Sequence, residues 1–237
     1  MLLLYHRVLD SAPASDPFTV SREAFERQVV WLAERFTLRT AAQVVAATAR
    51  ERLEGSAAIT FDDGDPSVVE VVLPVLMRHG VPATVFVDVG RLTGRGGPGL
   101  SPADLRALDA AGIEVASHGV SHTDLTALTD DEVRDELERS RELLQTTIEK
   151  PVTGFAYPFG AYDERVASLT RRAGYAYACT CRQHRPVLRG DDVFQLCRLE
   201  ITPYDDELRF PAKLQGAYAH VFAAWYRLNP SMRAWLD

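Results

Sequence analysis

The sequence predicts an α/β fold with a mainly parallel sheet in a single domain. Short apolar stretches alternate with amphipathic ones along the chain, and glycine stops several of the amphipathic stretches. Chemistry-bearing residues sit directly after the apolar runs, where both open doubly wound sheets and barrels place their ligands. No internal repeat, low-complexity stretch or linker divides the 237 residues, a length that one α/β barrel can fill.

The elements follow in order. Leu2–Tyr5 is a short apolar strand. Ser21 caps a helix over Arg22–Phe36, with Phe25, Val29, Trp31 and Leu32 near one face. Thr40 opens a small helix reaching Ala47, and Ala57–Phe61 is a buried strand. Pro66–His79 is a helix stopped by Gly80, where His79 suits the dipole. Ala83–Val89 is a second buried strand, and glycine-rich Arg91–Gly99 is a surface loop. Pro102–Ala111 is a helix ended by Gly112, and Ile113–Ala116 a strand. Thr129 and Glu132 form a capping box for a long helix to about Glu149. Thr153–Tyr157 is a strand, Asp163–Ala173 a helix ended by Gly174, and Tyr175–Thr180 and Cys197–Ile201 are strands. A mostly helical tail runs from Asp205 to Asp237, interrupted at Pro211 and Pro230.

Composition narrows the function. Hydrophobic content of 46%, charged content of 25% and a net charge of −7 describe an ordinary acidic globular chain with no basic footprint for nucleic acid. The charge also disfavours long polyanions as substrates. Three cysteines, Cys179, Cys181 and Cys197, are too few for a disulfide scaffold, and Cys179-x-Cys181 lacks a second pair for a thiolate zinc site. MLLLYHRV carries neither a basic start nor a long apolar core, and no apolar span of about 18 residues occurs, so the expectation is a cytoplasmic protein without a transmembrane segment.

Two strings carry the chemistry. Thr60–Gly64 (TFDDG) sets Asp62 and Asp63 at the end of an apolar run, where adjacent carboxylates repel unless a cation offsets them. Ser117–His122 (SHGVSH) sets His118 and His122 four apart in a loop after another apolar run. Two imidazoles and one carboxylate suit a zinc-like cation with a position left open, and the second carboxylate is then available as a base. A turn explains DDG alone and a solvated surface explains the histidine pair alone, but not both together.

These strings, with Phe155–Glu164 (FAYPFGAYDE), resemble the polysaccharide deacetylases (carbohydrate esterase family 4, the NodB-homology domain) over roughly Leu2–Ile201. The resemblance implies a distorted (β/α) barrel, and hydrolysis of the N-acetyl group of an amino sugar to free amine and acetate. It also implies Asp62 as general base and Asp63, His118 and His122 as ligands of one divalent metal, zinc first, with cobalt, nickel or iron as alternatives. Tyr157, Pro158, Phe159 and Gly160 match the motif that holds the acetate and the oxyanion. The family's late Leu-x-His string is missing. Tyr5-His6-Arg7-Val8 instead resembles the opening of the circularly permuted members that deacetylate poly-N-acetylglucosamine, which implies His6 as general acid. Arg198, grouped with the substrate-side residues by its strand-end position, is expected to fix the base carboxylate through a bidentate pair. His184 and His220 are expected to be solvated or packing residues. The same resemblance extends to other acyl-amides and to cyclic amides or imides. A non-catalytic carbohydrate-binding relative is the alternative outside enzymes, and an intact base carboxylate speaks against it.

Overall fold

The computed structural model describes residues 1–13, 16–49, 55–95, 97–181 and 192–215, and His184, His220 and the tail beyond 215 lie outside these. A curled parallel sheet forms the centre. Its strands are β1 (Leu2–Tyr5), β5 (Ser56–Phe61), β6 (Ala83–Val87), β7 (Glu114–Ser117), β8 (Gly154–Ala156), β9 (Tyr177–Cys179) and β10 (Leu199–Glu200), in the order β10-β1-β5-β6-β7-β8-β9. One short segment joins both edges: Leu196 bridges Cys179 of β9, and three residues on Leu199 pairs with Leu3 of β1. The predicted barrel is therefore present, with its seam at 196–200.

Three short strands escape sequence reading. β2 (Arg7–Leu9) and β3 (Thr19–Ser21) form a separate parallel pair beside the mouth of the barrel, and β4 (Thr37–Leu38) extends β5 at its start. Two or three residues are too few to show a period.

The helices are α1 (Arg22–Ala33), α2 (Ala41–Ala49), α3 (Leu73–His79), α4 (Val89–Leu92), α5 (Pro102–Ala110), α6 (Asp130–Ile148), α7 (Glu164–Arg172) and α8 (Arg209–Leu214). Ser21 caps α1, Gly80 ends α3 at φ 62°, and the Thr129–Glu132 box caps α6, all as the residues predict. The helix expected from Pro66 begins instead as a π-helical turn over Val68–Val72 before α3. The loop expected from Arg91 begins inside α4. Among the described helices none is long and apolar enough to cross a membrane.

Strand alternation sorts the core into two clusters. Outward residues such as Leu3, Ile59, Phe61, Val85, Val115 and Phe155 pack under the helices. Inward residues Leu2, Ala58, Phe86, Ala116, Ala156, Tyr177 and Cys179 fill the barrel together with Ala41 and Val44, so α2 plugs its lower end. Polar contacts fix that plug: Thr84 Oγ1 accepts from the Ala41 amide at 2.8 Å, and Glu114 Oε2 accepts from the Ala42 amide at 3.1 Å. Tyr177 Oη donates to Glu114 Oε1 at 2.9 Å. A Cβ on Gly154 would land in the phenol of Tyr177, which this bond holds in place. Gly154→Ala is expected to cost about 1–3 kcal/mol of stability by overpacking, read as a lower thermal midpoint.

The same parity governs the upper end. Continuing each strand by one residue turns His6, Asp62, Asp88 and His118 inward, above Leu4, Thr60, Phe86 and Ala116. It turns Tyr157 outward.

Candidate active site

Asp62 is the deepest member. It is 1% exposed, and Arg198, equally buried, grips both of its oxygens: Nη1 donates to Oδ1 at 2.6 Å and Nη2 to Oδ2 at 2.7 Å. Arg198 also donates from Nε to the Thr180 carbonyl at 3.0 Å and lies over the Phe86 ring at 5.1 Å. Burial alone would raise the Asp62 pKa; the guanidinium and the nearby His118 reverse that and hold it below the ordinary carboxylate range. The bidentate pair is as expected. The grouping of Arg198 with substrate-side residues is corrected, because a side chain sealed beneath Asp62 touches no substrate.

Asp63 turns the opposite way. Its backbone is left-handed at φ 70°, which swings the side chain out of the barrel's stacking order and toward the β7 loop. Oδ1 lies 3.2 Å from His122 Nε2 and 3.6 Å from His118 Nε2. Ligands on a tetrahedral zinc at about 2.0–2.2 Å stand roughly 3.3–3.6 Å apart, so this trio has the right span for one cation. These three residues each offer a ligand atom within 4.8 Å of the others. His118 Nδ1 lies 2.8 Å from the Ala156 carbonyl; donating its proton there leaves Nε2 with the lone pair a metal needs.

The two imidazoles differ electrostatically. Burial lowers the His118 pKa despite the nearby aspartates, which keeps the ring neutral. His122 is partly exposed, and contact with Asp63 outweighs burial to raise its pKa. Burial pushes the Asp63 pKa up, but the hydrogen bond to His122 and the charge of His118 bring it far below the ordinary carboxylate value.

Backbone strain gathers here. Asp63, His122 (φ 50°) and Phe159 (φ 59°) are three of the four described non-glycine residues at positive φ. The His122 loop is held from α6, where Glu136 Oε2 accepts from the amides of Val120 at 2.7 Å and Ser121 at 3.0 Å. The Phe159 ring packs edge-on to His122 with centroids 4.7 Å apart.

One cleft opens over these groups, lined by His6, Phe18, Asp62, Asp63, Arg91, His118, His122 and Phe159 among others. The His6 ring meets Phe18 edge-on at 5.0 Å, and its Nδ1 is buried with no hydrogen-bond partner among the described residues. Of the Tyr157–Gly160 motif only Phe159 lines the cleft. Tyr157 is a core residue, donating from Oη to the Phe194 carbonyl at 3.1 Å, because parity points it outward from the barrel. Pro158 is buried, and Gly160 packs against Cys181 so closely that a Cβ would strike its amide. Asp88 and Arg91 join the site unannounced. Asp88 stands one residue past β6 just as Asp62 stands past β5, the signal that would have found it.

Fold and site together define a (β/α) barrel hydrolase with a place for one divalent cation and a second, ion-paired carboxylate beside it. The sequence profile described as polysaccharide deacetylase matches residues 49–178, more than half of the chain, and the chain belongs to that family. Its members are enzymes that hydrolyse N-acetyl amide bonds of carbohydrates. YxkH of Bacillus subtilis (strain 168) is 25% identical, over 85% of this chain and 71% of that one. The chitooligosaccharide deacetylase of Sinorhizobium fredii (strain NBRC 101917 / NGR234) is 36% identical over 50% of this chain, and the match spans 53% of that relative. A polysaccharide deacetylase of Bacillus cereus superposes with a TM-score of 0.77 at 25% identity, covering 90% of this chain and 68% of that one.

Proposed function

We propose that this chain removes the N-acetyl group from an N-acetylglucosamine-type saccharide or glycoconjugate, using one divalent cation, zinc first, held by Asp63, His118 and His122. The observation that carries the reading is the division of labour between adjacent aspartates. Asp62 has both oxygens on Arg198, while Asp63 turns an oxygen to two imidazole nitrogens. A turn motif gives no reason for such a split.

When bound, the cation lowers the pKa of its water and polarises the acetamide oxygen. Asp62, kept ionised and oriented by Arg198, takes the proton from the attacking water. The motif resemblance assigns the peptide N–H of Phe159 to the developing oxyanion. His6 gives a proton to the nitrogen as the C–N bond breaks, so that free amine and acetate leave. Phe18 and Phe159, both partly exposed on the cleft, supply apolar walls for the sugar ring.

His6→Gln is therefore expected to lower amide turnover by about 10²–10⁴-fold. Cleavage of an activated aryl acetate, whose leaving group needs no proton, is expected to fall far less. Equal loss on both substrates would remove His6 from the acid role. The substrate assignment is tested by incubating the purified zinc-loaded protein with N-acetyl monosaccharides, N-acetylglucosamine oligomers and lipid-linked N-acetyl sugars and scoring free amine. Release from at least one class is expected. Release from none, with a simple acyl-amide or cyclic imide cleaved instead, would move the chain to that chemistry.

A further inference from the structure

We propose that Arg91 is a positioning residue for the ligand carboxylate, holding the outer oxygen of Asp63 so that only the other is offered to the cation. The inference rests on the reading of Asp63 as a metal ligand and adds a part to it. The two oxygens of Asp63 have different neighbours. Oδ1 faces the nitrogens of His118 and His122, whereas Oδ2 lies 3.6 Å from Arg91 Nη2.

Arg91 is itself anchored from the other side. Its Nε lies 3.4 Å from Asp88 Oδ2, a pairing of charges and not a hydrogen bond, since this buried Nε has no hydrogen-bond partner among the described residues. Asp88 Oδ1 accepts from the Gly90 amide at 2.9 Å, capping α4. The side chain of Asp88 is only 7% exposed. Burial raises its pKa, and the adjacent guanidinium is one of the groups that oppose this.

The backbone places that guanidinium closely. Val89 donates its amide to the Gly119 carbonyl at 3.0 Å, so α4 docks on the loop that carries both imidazoles. A Cβ on Gly90 would strike the Val120 carbonyl, and one on Gly99 would strike the Arg91 stem. Two glycines thus let the helix and the following loop close around Arg91. A planar fork can span Asp63 and Asp88 together, which the single ammonium of lysine does less well.

The physical consequence concerns open coordination positions. A carboxylate left to turn freely can present both oxygens to a cation and occupy a position that hydrolysis needs for water or substrate. The guanidinium on Oδ2 opposes that turn. Groups behind a metal ligand commonly change metal affinity by about 10–100-fold when removed.

The test uses the whole chain, stripped of metal and then titrated with Zn²⁺ against a chromophoric chelator and with Co²⁺ by visible absorption. Arg91→Met keeps the apolar stem and removes the fork. Asp88→Asn keeps the helix cap and removes the anchor's charge. Arg91→Met is expected to weaken Zn²⁺ binding about 10-fold or more and to dim the Co²⁺ bands, as a second oxygen of Asp63 raises the coordination number. Asp88→Asn is expected to move both readouts the same way by less, and Arg91→Lys to fall between Arg91→Met and the unsubstituted chain. Thermal unfolding of the metal-free proteins separates positioning from loosening. Unchanged Zn²⁺ affinity and Co²⁺ spectrum in Arg91→Met would overturn the proposal, and so would a lower unfolding midpoint with the Co²⁺ spectrum intact. If the unsubstituted chain took up neither ion, the ligand reading itself would fall, a distinguishable failure.

Discussion

Asp62→Asn is expected to lower acetate release by about 10²–10⁴-fold while leaving bound metal near one per chain. Asparagine keeps the shape and one acceptor oxygen for Arg198 but cannot take a proton from water at neutral pH. Asp63→Ala, one residue on, is expected to lose activity and metal together, since Oδ1 is the oxygen facing both imidazole nitrogens. Metal analysis beside turnover, on both variants, reads the difference. Equal metal loss in the two would dissolve the proposed split between base and ligand. The contrast is large because the neighbours are so different: a buried guanidinium for Asp62, two histidines and Arg91 for Asp63.

Arg198→Met is expected to do wider damage. Removing one partner from a buried pair leaves Asp62 charged and uncompensated in the barrel, at a cost of about 3–5 kcal/mol. Chemical denaturation reads that loss. Its pH dependence gives an independent check of cause. In the unsubstituted chain the Asp62 pKa is depressed on folding, so its contribution is present above the unfolded carboxylate value, about 3.9, and is lost as pH falls through the folded value. Without the guanidinium, burial dominates and the folded pKa lies above the unfolded one. Stability of Arg198→Met is then expected to rise as pH is lowered through that folded value toward about 3.9, the opposite slope. A variant with unchanged stability, or with an unchanged slope, would show that the pair is not what holds this carboxylate in place.

Much of the site is legible in sequence because its chemistry is contiguous. Asp62-Asp63 and His118-x-x-x-His122 each lie within one loop, so the spacing that brings atoms together is local. Arg198 is legible as a charge partner for Asp62 but not its depth: it precedes β10 where Asp62 follows β5, and its place depends on the 196–200 segment sharing two strand edges. Tyr157 misleads because motif membership says nothing of parity; one residue past Ala156 it turns out of the barrel. Asp88 is overlooked because the strand expected over Ala83–Val89 runs through it, so it does not stand out as a strand-end residue. Only its alternation with Thr84 and Phe86 shows that it points inward. The π-helical turn at Val68–Val72 is hidden because apolar spacing there fits an α-helix equally well.

The barrel itself is easier to read than its ornaments. Ala57–Phe61 and Ala83–Val87 are buried runs broken in apolar character only by Thr60 and Thr84, of the kind that parallel strands buried on both faces require. The β2–β3 pair is short and half polar, yet it begins with Arg7 and follows Phe18, and both of these line the cleft.

Acetate release from N-acetylglucosamine oligomers by the purified chain, followed before chelation, after it and after adding Zn²⁺ back, tests the central claim most directly. Activity that vanishes with the chelator and returns with the ion is the predicted result. Undiminished release from protein shown to be free of metal, or tight oligomer binding with no release under any loading, would contradict it.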